Sequence, residues 1–207
     1  MNLPIVGRAD RVAEQNRARL DLNGVFAINL VAPAGAGKAS LVQRTVQALS
    51  ARASILRLKV GGTSQLKAAE LGRALDDIRL RGVDLLLVEN ASDFVCPGTC
   101  KVGAHANVRV TTVFDEPPAS LHEPCRYQGL DALVVNKVDR ASEAGFDTAR
   151  FLRRLGGSSP NLMVFFTSCV EERGLQPWIG WIVRCRNAHF HRPGRAALPR
   201  AREETFA

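Results

Sequence analysis

The chain has 207 residues, of which 46% are hydrophobic and 23% are charged, and these proportions are typical of a folded globular protein. No apolar stretch reaches the roughly 20 residues that a membrane-spanning helix needs, so we expect no membrane association. The first ten residues lack the apolar core of a signal peptide, so we expect a cytoplasmic protein. The five cysteines are more consistent with thiols or metal ligands than with a disulfide framework.

The net charge of +8 is concentrated toward the C-terminal end of the chain. From Arg184 onward there are six arginines and two glutamates, and from Asn187 Pro, Gly, Arg and Ala dominate. Such a segment cannot form a packed core, so we expect a basic, disordered tail over residues 187–207, with His189 solvated. A nucleic-acid or acidic-partner arm is the alternative, but no RNA-binding motif or aromatic interleaving supports a nucleic-acid partner.

The predicted elements alternate between strands and helices along the chain. An amphipathic helix over residues 11–20 lies within an N-terminal helical segment, residues 1–22. Apolar, β-branched runs then predict strands at residues 25–31, 55–60, 83–88, 108–113, 132–135 and 163–167. Helical spacing of apolar residues predicts helices at residues 38–50, 64–80, 146–155 and 175–183, the last with Pro177 in its first turn. This order predicts one α/β domain, residues 23–186, with a mostly parallel sheet and helices on both faces.

A glycine-rich loop lies between the first predicted strand and the helix that follows it. Residues 32–39 read A-P-A-G-A-G-K-A, which is close to the phosphate-binding pattern G-x-x-x-x-G-K-[ST]. Glycines let the backbone N–H groups approach a phosphate, the helix N-terminus adds its dipole, and the lysine reaches the β- and γ-phosphates. We therefore expect these residues to bind phosphate: Gly35, Ala36, Gly37, Lys38, Ala39 and Ser40.

Two positions of this loop depart from the pattern. Ala32 replaces the first glycine, and Ala39 replaces the hydroxyl residue that coordinates Mg²⁺. Ser40 cannot substitute for that hydroxyl, because it lies one residue later and about 100° around the helix. The metal neutralises charge that develops during phosphoryl transfer, so we expect phosphate binding to be retained and Mg²⁺-dependent hydrolysis to be weakened.

A second motif, Asn136-Lys137-Val138-Asp139, follows the fifth predicted strand and reads N-K-x-D. An aspartate at that place can accept two hydrogen bonds from guanine, whereas adenine would leave its carboxylate without a partner. The tetrapeptide alone is common by chance, but its position after a phosphate-binding loop is informative. The two motifs together predict a P-loop NTPase fold that binds GTP and GDP.

Other polar residues leave alternatives open. Glu89, after the third predicted strand, is either a γ-phosphate or Mg²⁺ residue or an ordinary strand-end carboxylate. Cys96 and Cys100 are spaced C-x₃-C, with His105 five residues further, and thiolate and imidazole suit Zn²⁺ or Ni²⁺. Ordinary thiols are the alternative for both cysteines. We expect Asp115 to lie in a solvated turn.

The Glu89-Asn90 pair followed by Val95-Cys96-Pro97 is uncommon among P-loop proteins. Together with Asn16-Arg17-Ala18-Arg19-Leu20 upstream and the N-K-x-D motif downstream, it resembles the HypB family, over residues 16–181. These are nickel-insertion GTPases of [NiFe]-hydrogenase maturation, with the urease accessory GTPases as relatives. The resemblance implies a homodimer that binds GTP, carries Ni²⁺ or Zn²⁺, and passes nickel to a maturation partner that loads the hydrogenase large subunit.

The resemblance also implies roles for individual residues. Catalysis would involve Lys38 at the phosphates and Glu89 near the Mg²⁺–phosphate end. Guanine would be held by Asn136, Lys137 and Asp139. Ser168 and Cys169 match the last guanine-contacting loop, where a backbone N–H meets O6. Cys96 matches a cysteine of a metal site at the dimer interface.

The chain departs from the family between its second and third strands. Residues 57–60 continue directly into Gly61, without the family's acidic switch segment and its following helix and strand. Thr63-Ser64 stands where the family has a Cys-His pair, and Ser92 stands where a glycine is expected. We therefore interpret the chain as a divergent member with slow GTP hydrolysis. The alternative is a non-catalytic, nucleotide-binding regulatory or interaction protein, and a third is a scaffold whose basic tail binds an acidic partner.

Overall fold

The computed structural model describes residues 8–61, 66–90, 101–115, 127–159 and 161–190. Within these residues the strands are β1 Phe26–Val31, β2 Ile55–Val60, β3 Leu85–Asn90, β4 Ala106–Thr112, β5 Ala132–Asn136 and β6 Met163–Thr167. The helices are α1 Arg8–Asn23, α2 Lys38–Leu49, α3 Ala68–Asp76, α4 Thr148–Ser158 and α5 Leu175–His189.

The six strands form one sheet in the order β2-β3-β1-β4-β5-β6, and all neighbouring strands are parallel. The predicted α/β fold with a parallel sheet is therefore confirmed. In a parallel sheet all carboxyl ends meet at one edge, and ligands bind where the strand order reverses. That point lies here beside β1, between β3 and β4, where the glycine-rich loop leaves the sheet.

Helices cover both faces of the sheet, as predicted, because successive residues of each buried strand point to opposite faces. Ile28 and Leu87 pack with α2 and α5 in one core, where the fully buried Trp178 donates a hydrogen bond to Thr45 Oγ1 at 2.9 Å. On the other face, α1 and α3 pack on Ala27, Leu86 and Val88, and α4 covers β5 and β6 in a third cluster.

The structure changes two element boundaries that matter for the site. Strand β3 begins two residues later than predicted and continues to Asn90, so that Glu89 lies inside the strand, paired in register with Leu30. Helix α5 has Pro177 in its first turn, as predicted, and it continues to His189, so residues 187–189 of the expected tail are helical. His189 is exposed, as expected for a solvated residue, but it belongs to this helix and its Nε2 lies 2.7 Å from Asp21 Oδ1.

Among the residues that the structure describes, no helix is both long enough and apolar enough to cross a membrane.

Candidate guanine-nucleotide site

The glycine-rich loop turns from the buried strand β1 into helix α2 through two left-handed glycines. Gly35 has φ +78° and Gly37 has φ +86°, conformations that side-chain-bearing residues adopt only with strain. Gly37 is the N-cap of α2 and provides no side-chain cap. The first backbone N–H groups of α2 therefore point into the loop, as an anion-binding helix N-terminus requires.

Lys38 connects this loop with the neighbouring strand. Its Nζ donates a hydrogen bond to the carbonyl oxygen of Asn90, the last residue of β3. The ammonium group and the end of β3 are thus held together at the carboxyl edge of the sheet. The roles of Lys38 and Glu89 in catalysis remain predictions.

Asn136 joins the guanine motif to the phosphate loop. Its side chain is 3% exposed, and its Nδ2 donates to the carbonyl oxygen of Ala36 at 3.0 Å. Its Oδ1 accepts a hydrogen bond from Thr167 Oγ1 at 3.2 Å. A Cβ atom on Gly37 would lie 2.3 Å from Asn136 Nδ2, so only glycine allows this approach. One amide therefore links the loop that follows β1 with the ends of β5 and β6.

The rest of the N-K-x-D motif turns sharply at the end of β5. Lys137 has φ 63°, a left-handed conformation that is uncommon for residues other than glycine. A single 3-10 turn, Val138–Arg140, follows, and Arg140 N donates to Lys137 O at 2.9 Å. This turn places the half-buried Asp139 directly after the strand, at the same edge as the phosphate loop.

The Ser168–Cys169 loop after β6 lies beside Asn136. Ser168 is fully buried, and its backbone pairs with Arg173 in both directions. Burial raises the pKa of the Cys169 thiol, and a hydrogen bond with Asn136 opposes that shift. Cys169 is therefore a neutral thiol in this loop at physiological pH, as a structural residue would be.

Arg44 is a residue of this site that the sequence analysis missed. It lies on α2, and its Nε donates to the carbonyl oxygen of Cys169 at 3.0 Å, so that α2 and the last loop are held together. An arginine on an amphipathic helix has no motif of its own, and no sequence signal distinguishes it from a solvated one.

Glu89 has a partner that neither sequence interpretation included. Its side chain is 5% exposed, and its Oε1 accepts hydrogen bonds from Arg57 Nη2 at 2.9 Å and from Arg57 Nε at 3.1 Å. Lys59 lies opposite Glu89 in the register of β2 and β3, so Arg57, two residues earlier, points to the same face. The sequence signal for this partner was the alternation along β2: Leu56 and Leu58 face the other core, so Arg57 faces the side on which Glu89 lies.

Several residues of the sequence analysis lie outside the described part of the chain: Cys96, Cys100, Ser92 and Thr63-Ser64. Asp115 is described, and its Oδ2 accepts from Thr112 Oγ1 at 2.7 Å. This contact closes a turn after β4, as expected. His105 precedes β4 and therefore lies at the amino edge of the sheet, opposite the edge that carries the nucleotide motifs.

At that amino edge, ligand atoms of Asp21, His105 and His189 lie within 4.8 Å of one another. His105 Nδ1 accepts a hydrogen bond from Ala27 N at 2.9 Å, so the proton of the neutral ring is on Nε2, 2.9 Å from Asp21 Oδ1. Burial lowers the pKa of His105 to about 4. A metal ligand needs a free lone pair on Nε2, so this tautomer does not suit a metal. The cluster instead connects α1, β4 and α5.

The parallel sheet, the left-handed phosphate loop and the Asn136 link are features of the P-loop NTPase fold. No family model matches the chain. Its sequence is 26% identical to the hydrogenase maturation factor HypB of Azotobacter vinelandii, over 98% of this chain and 73% of that relative. For HypB of Azotobacter chroococcum the identity is 27%, over 90% and 68%.

Solved HypB structures share the fold. HypB from Archaeoglobus fulgidus superposes with a TM-score of 0.76 at 24% identity, over 84% of this chain and 96% of that one. HypB from Helicobacter pylori in complex with nickel superposes with a TM-score of 0.78 at 16% identity, over 92% and 100%. The chain is therefore similar to HypB proteins over most of its length, in sequence and in fold.

Proposed function

We propose that this chain binds GDP and GTP at the carboxyl edge of its sheet and assists nickel insertion during [NiFe]-hydrogenase maturation. The observation that carries the proposal is the hydrogen bond from Asn136 to the Ala36 carbonyl, which joins a guanine motif to a phosphate loop. The relatives support the biological role, since their names describe hydrogenase maturation factors and one solved neighbour was crystallised with nickel.

The nucleotide would be held from both ends. The backbone N–H groups of residues 35–40 and the Lys38 ammonium bind the phosphates, and Lys38 and Glu89 act at the phosphate end in hydrolysis. Lys137 packs along the base, and the Asp139 carboxylate accepts from guanine N1–H and the exocyclic amine. Of the last loop, the Cys169 amide is the candidate donor to O6, because the Ser168 N–H already donates to Arg173 O.

Ala39 makes GTP turnover slow in this proposal, because α2 has a methyl group where the metal-binding hydroxyl is expected. Nickel is the cargo, with Zn²⁺ as the other candidate, and Cys96 is the proposed ligand at the interface of a homodimer. The partners are a second maturation protein and the hydrogenase large subunit, in the cytoplasm, where GTP is present. The non-catalytic alternative differs in one respect: it binds the nucleotide without turnover.

Calorimetric titration with GDP and with ADP tests the nucleotide site. We expect GDP to bind and ADP to bind at least about a hundredfold more weakly, because adenine leaves the Asp139 carboxylate unpaired. If neither GDP nor GTP binds at millimolar concentration, the proposal is wrong. Turnover of GTP by the same preparation distinguishes the slow enzyme from the non-catalytic protein.

Nickel transfer from the loaded protein to an apo-hydrogenase large subunit tests the cargo. Cys96→Ser is expected to abolish GTP-dependent transfer. Cys185→Ser is the matched control, because it removes a half-buried thiol of α5 that the proposal does not use. Equal loss of transfer in both variants, or retention in both, would contradict the assignment of Cys96.

A further inference from the structure

The phosphate end of the site contains a buried carboxylate that is bound by a protein cation. Glu89 is almost fully buried, and the Arg57 guanidinium binds its Oε1 through two N–H groups. Arg57 comes from the edge strand β2 and its side chain is 39% exposed, so one side of the guanidinium is in the protein and the other reaches solvent.

This arrangement does not fit a protein-coordinated Mg²⁺ among the residues that the structure describes. Mg²⁺ prefers oxygen ligands in near-octahedral geometry and is usually bound by one or two carboxylates together with phosphate oxygens. Ala39 offers no oxygen from its side chain, and Oε1 of Glu89, the residue before the Asn90 carbonyl that accepts from Lys38, is already bound by Arg57. A divalent cation at Glu89 would have to share a buried carboxylate whose Oε1 already accepts from the Arg57 guanidinium, and the two positive charges would repel each other.

We propose that the Arg57–Glu89 ion pair takes the place of a divalent cation at the terminal-phosphate end of the loop, so that guanine nucleotides bind without Mg²⁺. The inference rests on the proposed nucleotide site. Arg57 uses Nε and Nη2 on the carboxylate, and the N–H groups of Nη1 remain for a phosphate oxygen. A guanidinium suits this role because it stays protonated and binds carboxylate and phosphate in the same fork geometry.

The pairing of β2 with β3 places the ion pair. Lys59 lies opposite Glu89 in the register of these two strands, and Arg57, two residues earlier on the same face, is within reach of the Glu89 carboxylate. The charge at this end of the site is therefore provided by the fold, and it does not depend on the metal concentration.

The first test is titration of the wild-type chain with GDP and GTP, in buffer with Mg²⁺ and in buffer with EDTA. We expect each affinity to change by less than about threefold between the two buffers, because a fixed cation needs no metal. An increase of about tenfold or more in GTP affinity on adding Mg²⁺ would overturn the inference.

Arg57→Gln tests the residue directly. We expect GTP affinity to fall by about tenfold or more and GDP affinity to fall less, because the γ-phosphate carries the additional charge. Lys59→Gln is the matched control, since it removes the same charge from an exposed position two residues further on the same face of β2. Equal losses in the two variants would show a general effect of charge and contradict the role of Arg57.

Arg57→Gln leaves the buried Glu89 carboxylate unpaired, so the double variant Arg57→Gln/Glu89→Gln guards against a loss of folding. Its thermal unfolding should resemble that of the wild type, while its GTP affinity stays low.

Adding Ala39→Ser to Arg57→Gln restores a hydroxyl and frees the Glu89 carboxylate. We expect this variant to bind GTP more tightly with Mg²⁺ than with EDTA. If the GTP affinity of this variant is the same with Mg²⁺ and with EDTA, the result contradicts the proposal.

The outcomes separate the inference from the proposed function. Binding of guanine nucleotides that requires Mg²⁺ contradicts the inference alone. Absence of binding in both buffers contradicts the nucleotide site itself, and the inference with it.

Discussion

The two ends of the candidate nucleotide site differ in how closely they follow the expected pattern. At the guanine end, Asn136 and the Ser168–Cys169 loop are buried, hydrogen-bonded and joined to the phosphate loop. At the phosphate end, where a divalent cation is expected, Ala39 lacks a hydroxyl and Glu89 is bound by Arg57. The guanine end lies at β5 and β6, whereas the phosphate end lies at β2, β3 and the start of α2. Because separate strands hold the two ends, one can change while the other keeps its geometry.

The largest expected effect is on GDP affinity, after a substitution at the guanine end of the site. Asp139→Asn replaces a double acceptor by an amide, so we expect GDP affinity to fall by roughly a hundredfold. Xanthosine diphosphate should bind this variant better than the wild type, because the amide can donate to the base oxygen that replaces the amine. Competition titrations measure both affinities. Glu143→Gln, an exposed carboxylate of the next turn, is the control and should bind GDP normally.

The link between the two ends can be broken at Gly37. Gly37→Ala combines strain at φ +86° with a Cβ atom 2.3 Å from Asn136 Nδ2. We expect the free energy of unfolding to fall by about 2–3 kcal/mol, and nucleotide binding to be lost. Gly82→Ala is the matched control, since Gly82 has φ +82° with no atom within 4 Å of the added Cβ. Its cost is the backbone strain, about 1 kcal/mol. Urea unfolding measures both, and equal costs would contradict a steric role for Asn136.

At the amino edge of the sheet, the buried His105 makes the stability of the fold depend on pH. The pKa of His105 is lowered to about 4, whereas the unfolded chain takes up this proton below about 6.5. The contribution of the neutral His105 to the free energy of unfolding is therefore fully present above pH 6.5. It is lost as the pH falls toward 4, by up to about 1.4 kcal/mol per pH unit.

His105→Gln removes the titrating group, so its unfolding free energy should depend less on pH between 6.5 and 4. His189→Gln, which removes the other imidazole of the cluster, is the control and should keep most of the wild-type slope. Urea unfolding at several pH values decides between them. If His105→Gln has the same slope as the wild type, burial of His105 is not the cause of the acid sensitivity.

The smallest expected effect concerns the support of Asn136. Thr167→Val removes the hydroxyl that donates to Asn136 Oδ1 and leaves a buried oxygen without that donor, at a cost of about 1 kcal/mol. Thr111→Val is the control, since Thr111 is also fully buried and its hydroxyl has no hydrogen-bond partner among the described residues. Thermal unfolding compares the two. A larger loss in Thr111→Val would contradict the importance of the Asn136 contact.

The local sequence was sufficient to predict the fold and to place the two candidate nucleotide motifs after β1 and β5. Apolar, β-branched runs located all six strands, and β2 and β6 have the predicted boundaries. Motifs work at this level because a phosphate loop and a guanine motif are each built from residues that are adjacent in the chain. Lys137 shows a limit of prediction from motifs, because its backbone is left-handed and no glycine in the sequence indicates this.

Contacts between distant residues were decided by the tertiary structure. Arg57 and Glu89 are 32 residues apart in the chain, and only the pairing of β2 with β3 brings them together. His189 was expected in a disordered tail, but α5 continues to that residue, and the exposed imidazole contacts Asp21 of α1. The sequence by itself determined the strands, the helices and both nucleotide motifs, because these depend on local periodicity and local backbone geometry. The charge at the phosphate end and the polar cluster at the opposite edge depend on which elements lie next to each other, and strand order decides that.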